Sequence, residues 1–291
     1  MKLFFLVVLA LAAVPLAIAA GISRAIHRRE KRTYLDAYFV TPWEVGVPFE
    51  EVSFRSADGV ALRGWWFTRP GWRVIVGCSG LNGSKSDLIG IGPYLYRAGF
   101  SVLLFDFRDR GESGASLRSA GYFEWRDLTA ALAYTRERLP GARIGLLGFS
   151  MGAALALLAS REPGVAAVVA DSSYSSLGEL IAERLRRYRL PSRFLLWCAG
   201  RFIRLRHGYS LDVLAPIDAV RHPGFPPALF IHGGGDTIIP AEHSVRLHRA
   251  SGFPGGPWIV DGAGHCGAYF QDRERYCADV AAFFKRHLAE G

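Results

Sequence analysis

A serine with the features of an enzyme nucleophile lies in residues 143–159, between an apolar strand and a helix of small residues. The segment Gly148-Phe-Ser-Met-Gly152 matches the G-x-S-x-G pattern of a nucleophile elbow. A strand that turns at once into a helix strains the backbone at Ser150 and points its side chain outward, and the flanking glycines avoid Cβ clashes. The helix N-terminus supplies N–H groups and a positive dipole end that suit a developing anion. The pattern therefore favours a nucleophilic serine over a glycine-rich turn with an inert one.

The elements that must position Ser150 alternate along the chain. A hairpin over residues 51–67 comes first, with its turn at Ala57-Asp-Gly59. The later predicted strands are 73–78, 101–105, 143–147, 165–170, 227–231 and 257–260, and the predicted helices are 88–98, 122–139, 240–250 and 267–289, besides the one after Ser150. This order predicts the α/β class, with a mostly parallel twisted sheet covered by helices on both faces.

An insertion over about residues 174–224 interrupts the alternation. Its segments 177–190 and 194–205 mix large apolar side chains with arginines. One interpretation is a solvated amphipathic helix pair packed on the domain. The other is a helical cap whose apolar face lines a substrate pocket, with arginines directed to a membrane or an anionic substrate.

The composition fits one domain over residues 51–291, since the chain has 291 residues, half of them hydrophobic. The net charge of +9 is concentrated in residues 1–32 and 174–222, which carry +5 each. No nucleic-acid recognition motif accompanies this charge, so we expect no nucleic-acid partner, and attraction to an anionic membrane fits better. The four cysteines lack metal-type spacing, and pairing of Cys266 with Cys277 stays open.

The N-terminal segment, residues 1–24, contains an uncharged run over 3–22 that is long enough to span a bilayer. We expect a single-pass membrane anchor followed by a basic connector over residues 25–50. The five basic residues that follow the run favour a catalytic domain on the cytoplasmic side. A cleaved signal peptide and an exported domain are the alternative, since Ala17-Ile-Ala19 resembles a cleavage site.

Several motifs resemble those of the α/β-hydrolase superfamily, in its order, from about residue 50 to the C-terminus. Residues 79–83 stand where the family usually has a His-Gly loop, and 104–113 look like its D-x-R-G-x-G-x-S loop. The elbow follows at 148–152, then an acid loop at 232–240 and a histidine loop at 262–265. The resemblance implies an α/β-hydrolase fold with a helical cap insertion.

The resemblance also implies a catalytic triad of Ser150, Asp236 and His265, in the chain order that this fold uses. His265 would take the proton of Ser150 during attack and give it to the leaving group. Asp236 would hold the imidazole in the required tautomer. Asp171, after the sixth predicted strand, is the rival for the acid, because some relatives use that position.

An oxyanion hole is implied by the same resemblance. Its two donors would be the backbone N–H groups of Met151, after the nucleophile, and Leu81, in the loop after the third strand. Ser79 replaces the histidine that the family usually carries in this loop.

These features together predict a membrane-anchored serine hydrolase that cleaves acyl bonds through an acyl-enzyme on Ser150. Carboxylic esters are the favoured substrates, with thioesters or amides next. We expect a small-molecule or lipid-like acyl substrate, no metal and no cofactor. An acyltransferase of the same fold, or a membrane-tethered binding protein without catalysis, are the alternatives.

Overall fold

The apolar runs of the sequence pair into one eight-stranded sheet. The structure, a computed structural model, describes the backbone of residues 2–28 and 40–289 and the side chains of residues 13–28 and 40–289. The strands are β1 (Glu50–Arg55), β2 (Ala61–Phe67), β3 (Arg73–Cys78), β4 (Ser101–Phe105), β5 (Arg143–Phe149), β6 (Val165–Asp171), β7 (Ala228–Gly233) and β8 (Trp258–Val260). Their order is β1-β2-β4-β3-β5-β6-β7-β8, with β2 antiparallel to both of its neighbours and all later pairings parallel.

Helices cover both faces of this sheet. The helices are α1 (Lys2–His27), α2 (Gly92–Arg97), α3 (Glu124–Arg138), α4 (Met151–Leu158), α5 (Leu177–Arg187), α6 (Ser192–His207), α7 (Pro216–Val220), α8 (Glu242–Ser251), α9 (Ala268–Gln271) and α10 (Arg273–His287). Successive side chains of a strand point to opposite faces, and β3 shows this: Val74 and Val76 join one apolar cluster with α3 and α4, whereas Ile75 joins another with α2 and α10. The predicted fold class is confirmed.

Two predicted helices have different ends in the structure. The helix expected over 88–98 begins only at Gly92, because Pro93 fits a first turn but not a helix interior. The helix expected over 267–289 divides at Asp272, whose side chain accepts a hydrogen bond from the N–H of Arg275 and so caps α10. Both differences come from local capping chemistry that hydrophobic periodicity does not record.

The insertion between β6 and β7 is helical, with α5, α6 and α7 as its main elements. Tyr174, Leu177, Ile203 and Leu214 are buried in an apolar cluster that also contains Ala154 of α4. The insertion therefore packs on the helix that follows Ser150.

The transmembrane anchor predicted for residues 1–24 is wrong. Across residues 2–28 and 40–289, no helix combines the length and apolar content needed to cross a membrane. The C-terminal part of α1 instead packs against α6, where Ala19 and Ile26 are buried and the His27 ring stacks on His207 with centroids 3.7 Å apart. Of the predicted basic connector, residues 29–39 lie outside the described residues.

Buried ion pairs hold the loop that follows β4. Arg108 is 1% exposed and binds both Asp127 and Asp58, at 2.7 and 2.8 Å for the closest N–O contacts. Lys85 pairs with Asp106 at 2.6 Å, and both are buried. The conformation of this loop therefore depends on ion pairs that are buried away from water.

Replacing Arg108 by methionine is expected to lower the free energy of unfolding by about 3–5 kcal/mol, because Asp127 is left buried without its charge partner. Urea unfolding at neutral pH measures the loss. The matched control is Arg275→Met, which removes a pair with Asp279 whose side chains are 66% and 51% exposed. The control should lose less than about 1 kcal/mol, and equal losses in both variants would contradict the expected burial cost.

Candidate functional site

Ser150 lies at the turn between β5 and α4 with φ +54° and ψ −118°. A Cβ atom on Gly148 would lie 2.3 Å from the Gly152 carbonyl oxygen, and one on Gly152 would lie 2.3 Å from the carbonyl oxygen of Cys78. Only glycine fits at these two positions. The N–H of Ser150 donates to the carbonyl of Asp171 at 2.8 Å, so neighbouring β6 also holds the strained residue.

Ser150, His265 and Asp236 come together at the carboxyl ends of β5, β8 and β7. The distance from Ser150 Oγ to His265 Nε2 is 2.9 Å, and that from His265 Nδ1 to Asp236 Oδ2 is 2.6 Å. A carboxylate oxygen accepts, so His265 Nδ1 carries the proton and Nε2 is free to accept the hydrogen of the serine hydroxyl. The arrangement can therefore move the proton of Ser150 onto His265.

The carboxylate of Asp236 is held from both of its oxygens. Oδ1 accepts hydrogen bonds from the N–H groups of Ile238 and Ile239 at 2.8 and 2.9 Å, while Oδ2 faces His265. Burial alone would raise the pKa of Asp236, but hydrogen bonds from His232, His265 and the Ile239 N–H bring it well below its usual value. Asp236 therefore stays ionised and keeps its orientation.

His232, at the start of the acid loop, supports Asp236 and is missing from the residues that sequence reasoning selected. Its ring is fully buried; Nε2 lies 2.8 Å from the Ile239 carbonyl and 3.2 Å from Asp236 Oδ2. A carbonyl only accepts, so Nε2 carries the proton and Nδ1 accepts from the hydroxyl of Ser244 at 2.6 Å. The sequence indicated this residue only through its position, because His232 begins the acid loop that contains Asp236.

Asp171, the rival acid, makes no hydrogen bond to His265 among the contacts of the described residues. Its carboxylate accepts from the hydroxyl of Tyr276 at 2.8 Å and from that of Ser172 at 2.9 Å. Burial raises the pKa of Asp171 to about 6, against the opposing effect of these two donors. Ser172 Oγ in turn accepts from the N–H of Cys266 at 3.1 Å, so the Asp171 side chain supports the loop that carries the histidine.

One arginine, Arg110, contacts both of the residues that are expected to supply oxyanion donors. Met151 is the first residue of α4, and Leu81 lies in the loop after β3. Arg110 is buried, donates through Nε to the Leu81 carbonyl, pairs with Glu124 at 3.0 Å and places Nη2 3.8 Å from the sulfur of Met151. Arg118 donates to the same Leu81 carbonyl at 2.7 Å. Two arginines therefore fix the loop that carries Leu81.

A cavity of about 560 Å³ opens beside Ser150 and His265. Most of its lining side chains are apolar: Leu81, Leu88, Ile91, Phe149, Ile238, Tyr269 and Phe270. Within the described part of the chain, the lining residues come from the loops and helices around β3, β5, β7 and β8, and none belongs to the insertion over 174–224. The cavity size is typical of small-molecule sites.

All four cysteine thiols are free. Cys266 follows His265 and contributes to the cavity lining. Burial raises the pKa of its thiol well above the usual range, which keeps it protonated and a poor nucleophile. Ser150 therefore has no competitor in the adjacent thiol.

This chain is similar in sequence to a known protein family and to bacterial proteins. A family model described as alpha/beta hydrolase fold matches residues 73–195. YqkD of Bacillus subtilis is 32% identical over 215 residues, which cover 72% of this chain and 70% of that protein. Rv2307c of Mycobacterium tuberculosis is 32% identical over 225 residues, covering 74% and 72%.

Solved structures show the same fold. The esterase Pf2001 of Pyrococcus furiosus superposes with a TM-score of 0.71 at 22% identity, over 91% of this chain and 99% of that one. At this identity the likeness concerns the fold. Taken with the strand order, the matched family model and the similarity to YqkD, it shows that the chain belongs to the α/β-hydrolase superfamily.

Proposed function

We propose that this protein is a serine hydrolase that cleaves carboxylic ester bonds through an acyl-enzyme on Ser150. The observation that carries the proposal is the hydrogen-bonded chain from Ser150 Oγ through His265 to the buried Asp236. The superfamily fold and the esterase with the same fold support a hydrolase in general.

The geometry supports a mechanism in two halves. His265 Nε2 takes the hydroxyl proton while Ser150 Oγ attacks the acyl carbon, and the N–H groups of Met151 and Leu81 stabilise the oxyanion. The tetrahedral intermediate collapses, the bond to the alcohol breaks, and His265 returns the proton to the departing oxygen. Water then repeats the sequence on the acyl-enzyme and releases the acid.

The cavity favours an apolar group next to the scissile bond. Its walls bear leucine, isoleucine and aromatic side chains, and each methylene buried there contributes about 0.8 kcal/mol. That energy corresponds to up to about fourfold in kcat/KM for every methylene that is buried in the transition state. We therefore propose acyl esters with chains longer than acetyl as substrates.

A series of p-nitrophenyl esters of increasing acyl length tests the proposal. We expect kcat/KM to rise from the acetate through medium-length chains and then to level off when the cavity is filled. Ser150→Ala is the control that separates enzyme turnover from background hydrolysis. A maximum at acetate would contradict the apolar substrate preference, whereas equal rates for the wild type and Ser150→Ala would contradict the serine hydrolase itself.

A further inference from the structure

One buried hydroxyl at the cavity has no partner. Ser79 directly follows β3 and is 1% exposed. Its Oγ makes no hydrogen bond within residues 2–28 and 40–289, although Ser79 lines the cavity together with Ser150 and His265. A buried hydroxyl without a hydrogen-bond partner destabilises the folded protein. A hydroxyl in this position is informative because proteins pair nearly all such groups.

Other buried serines around the site are paired. Ser172 Oγ donates to Asp171 at 2.9 Å, and Ser113 Oγ donates to the Asp106 carbonyl at 2.7 Å. Ser160 is 2% exposed and shares with Ser79 an unpaired hydroxyl in the described part of the chain, but it lies in the helical turn after α4 and does not line the cavity. Ser79 therefore combines burial, an unpaired hydroxyl and a place at the site.

The backbone around Ser79 packs directly on the nucleophile elbow. A Cβ atom on Gly152 would lie 2.5 Å from the Ser79 carbonyl oxygen, and one on Gly80 would lie 3.6 Å from Ser150 Cβ. Ser79 thus lies against the first turn of α4, which supplies the Met151 N–H, and in the loop that supplies the Leu81 N–H. An acyl oxygen bound between those two groups lies next to this loop.

We propose that the Ser79 hydroxyl donates a hydrogen bond to the acyl oxygen of the bound substrate, as a third donor beside the Met151 and Leu81 N–H groups. This inference rests on the proposed ester hydrolysis. Ser79 keeps its proton throughout, while Ser150 Oγ forms the new bond to the acyl carbon. The acyl oxygen gains negative charge as that bond forms, so the hydrogen bond is stronger in the transition state than in the bound ester.

The paired variants Ser79→Ala and Ser160→Ala test this role. For a p-nitrophenyl ester that the wild type hydrolyses, Ser79→Ala is expected to lower kcat by about 10- to 100-fold and to change KM by less than about threefold. Its Tm should equal or exceed that of the wild type, because the variant removes an unpaired buried hydroxyl. Ser160→Ala should show the same effect on Tm with the kcat of the wild type.

A second variant keeps the test decisive if Ser79→Ala does not fold. Ser79→Cys retains nearly the same shape but donates weakly, so its kcat should also fall. Wild-type kcat in either folded variant would overturn the inference, as would a loss that appears in KM and Tm instead of kcat. Those results leave the proposed function standing; equal rates for the wild type and Ser150→Ala would defeat both.

Discussion

Replacing Ser150 by alanine is expected to lower kcat for ester hydrolysis by about 10⁶-fold. Without the hydroxyl, no acyl-enzyme forms, and His265 has no nucleophile to deprotonate. Any rate that remains would come from water attacking a carbonyl polarised by the Met151 and Leu81 N–H groups. Steady-state kinetics with a p-nitrophenyl ester measures the loss.

The fold of Ser150→Ala must be shown to be intact for that result to count. Thermal unfolding followed by circular dichroism gives this control. Ser160→Ala is a second control, because it removes the hydroxyl of a buried serine that does not line the cavity. A Ser150→Ala protein that is folded and hydrolyses the ester within about tenfold of the wild-type rate would exclude Ser150 as the nucleophile.

The exchange Asp236→Asn is expected to lower kcat by about 10⁴-fold. Asp236 Oδ1 accepts from the N–H groups of Ile238 and Ile239, so the remaining oxygen of an asparagine would occupy that position. The amide NH₂ would then face His265 Nδ1 and force the proton onto Nε2. An imidazole protonated at Nε2 cannot accept the proton of Ser150.

Asp171→Asn is the matched control, because Asp171 is also buried and is the last residue of the neighbouring strand β6. Its carboxylate bonds to Tyr276 and Ser172, not to the imidazole, so we expect a loss smaller than about tenfold. Steady-state kinetics on both variants decides between the two acids. A larger loss in Asp171→Asn than in Asp236→Asn would reverse the assignment.

The strand pattern could be predicted from the sequence because each buried strand is a short apolar run bounded by turn residues. β3 and β4 have the predicted bounds, and the predicted positions of Ser150, Asp236 and His265 at strand ends explain why these side chains meet. Residues at the carboxyl ends of parallel strands lie along one edge of the sheet. The order of the motifs and strands was therefore enough to predict that the three candidate side chains lie close together.

The sequence alone does not distinguish Asp236 from Asp171 as the acid. Both lie at the carboxyl ends of buried strands in the same sheet, Asp171 as the last residue of β6 and Asp236 after β7. Their hydrogen bonds distinguish them, because Asp236 bonds to His265 and Asp171 to Tyr276. The arginines that hold the Leu81 carbonyl were equally hidden, because Arg110 and Arg118 are distant from Leu81 in the chain. Periodicity carries no information on such long-range polar pairs.

The N-terminal segment shows a second feature that could not be predicted from the sequence. Its uncharged run predicted an anchor from length alone, but a hydropathy count does not register the contact of the later turns of α1 with α6. Partners such as His207 and Tyr209, which contact His27, lie about 180 residues further along the chain. Only the folded chain shows that these turns are part of a packed surface.

Reaction with a fluorophosphonate tests the central claim most directly, because the reagent forms a covalent bond to an activated serine oxygen and releases fluoride. Intact-protein mass spectrometry followed by peptide mapping locates the adduct. The proposed mechanism predicts one adduct, on Ser150, that is absent from Ser150→Ala and forms far more slowly in Asp236→Asn. An adduct on another residue, or equal labelling of the wild type and Ser150→Ala, would contradict it.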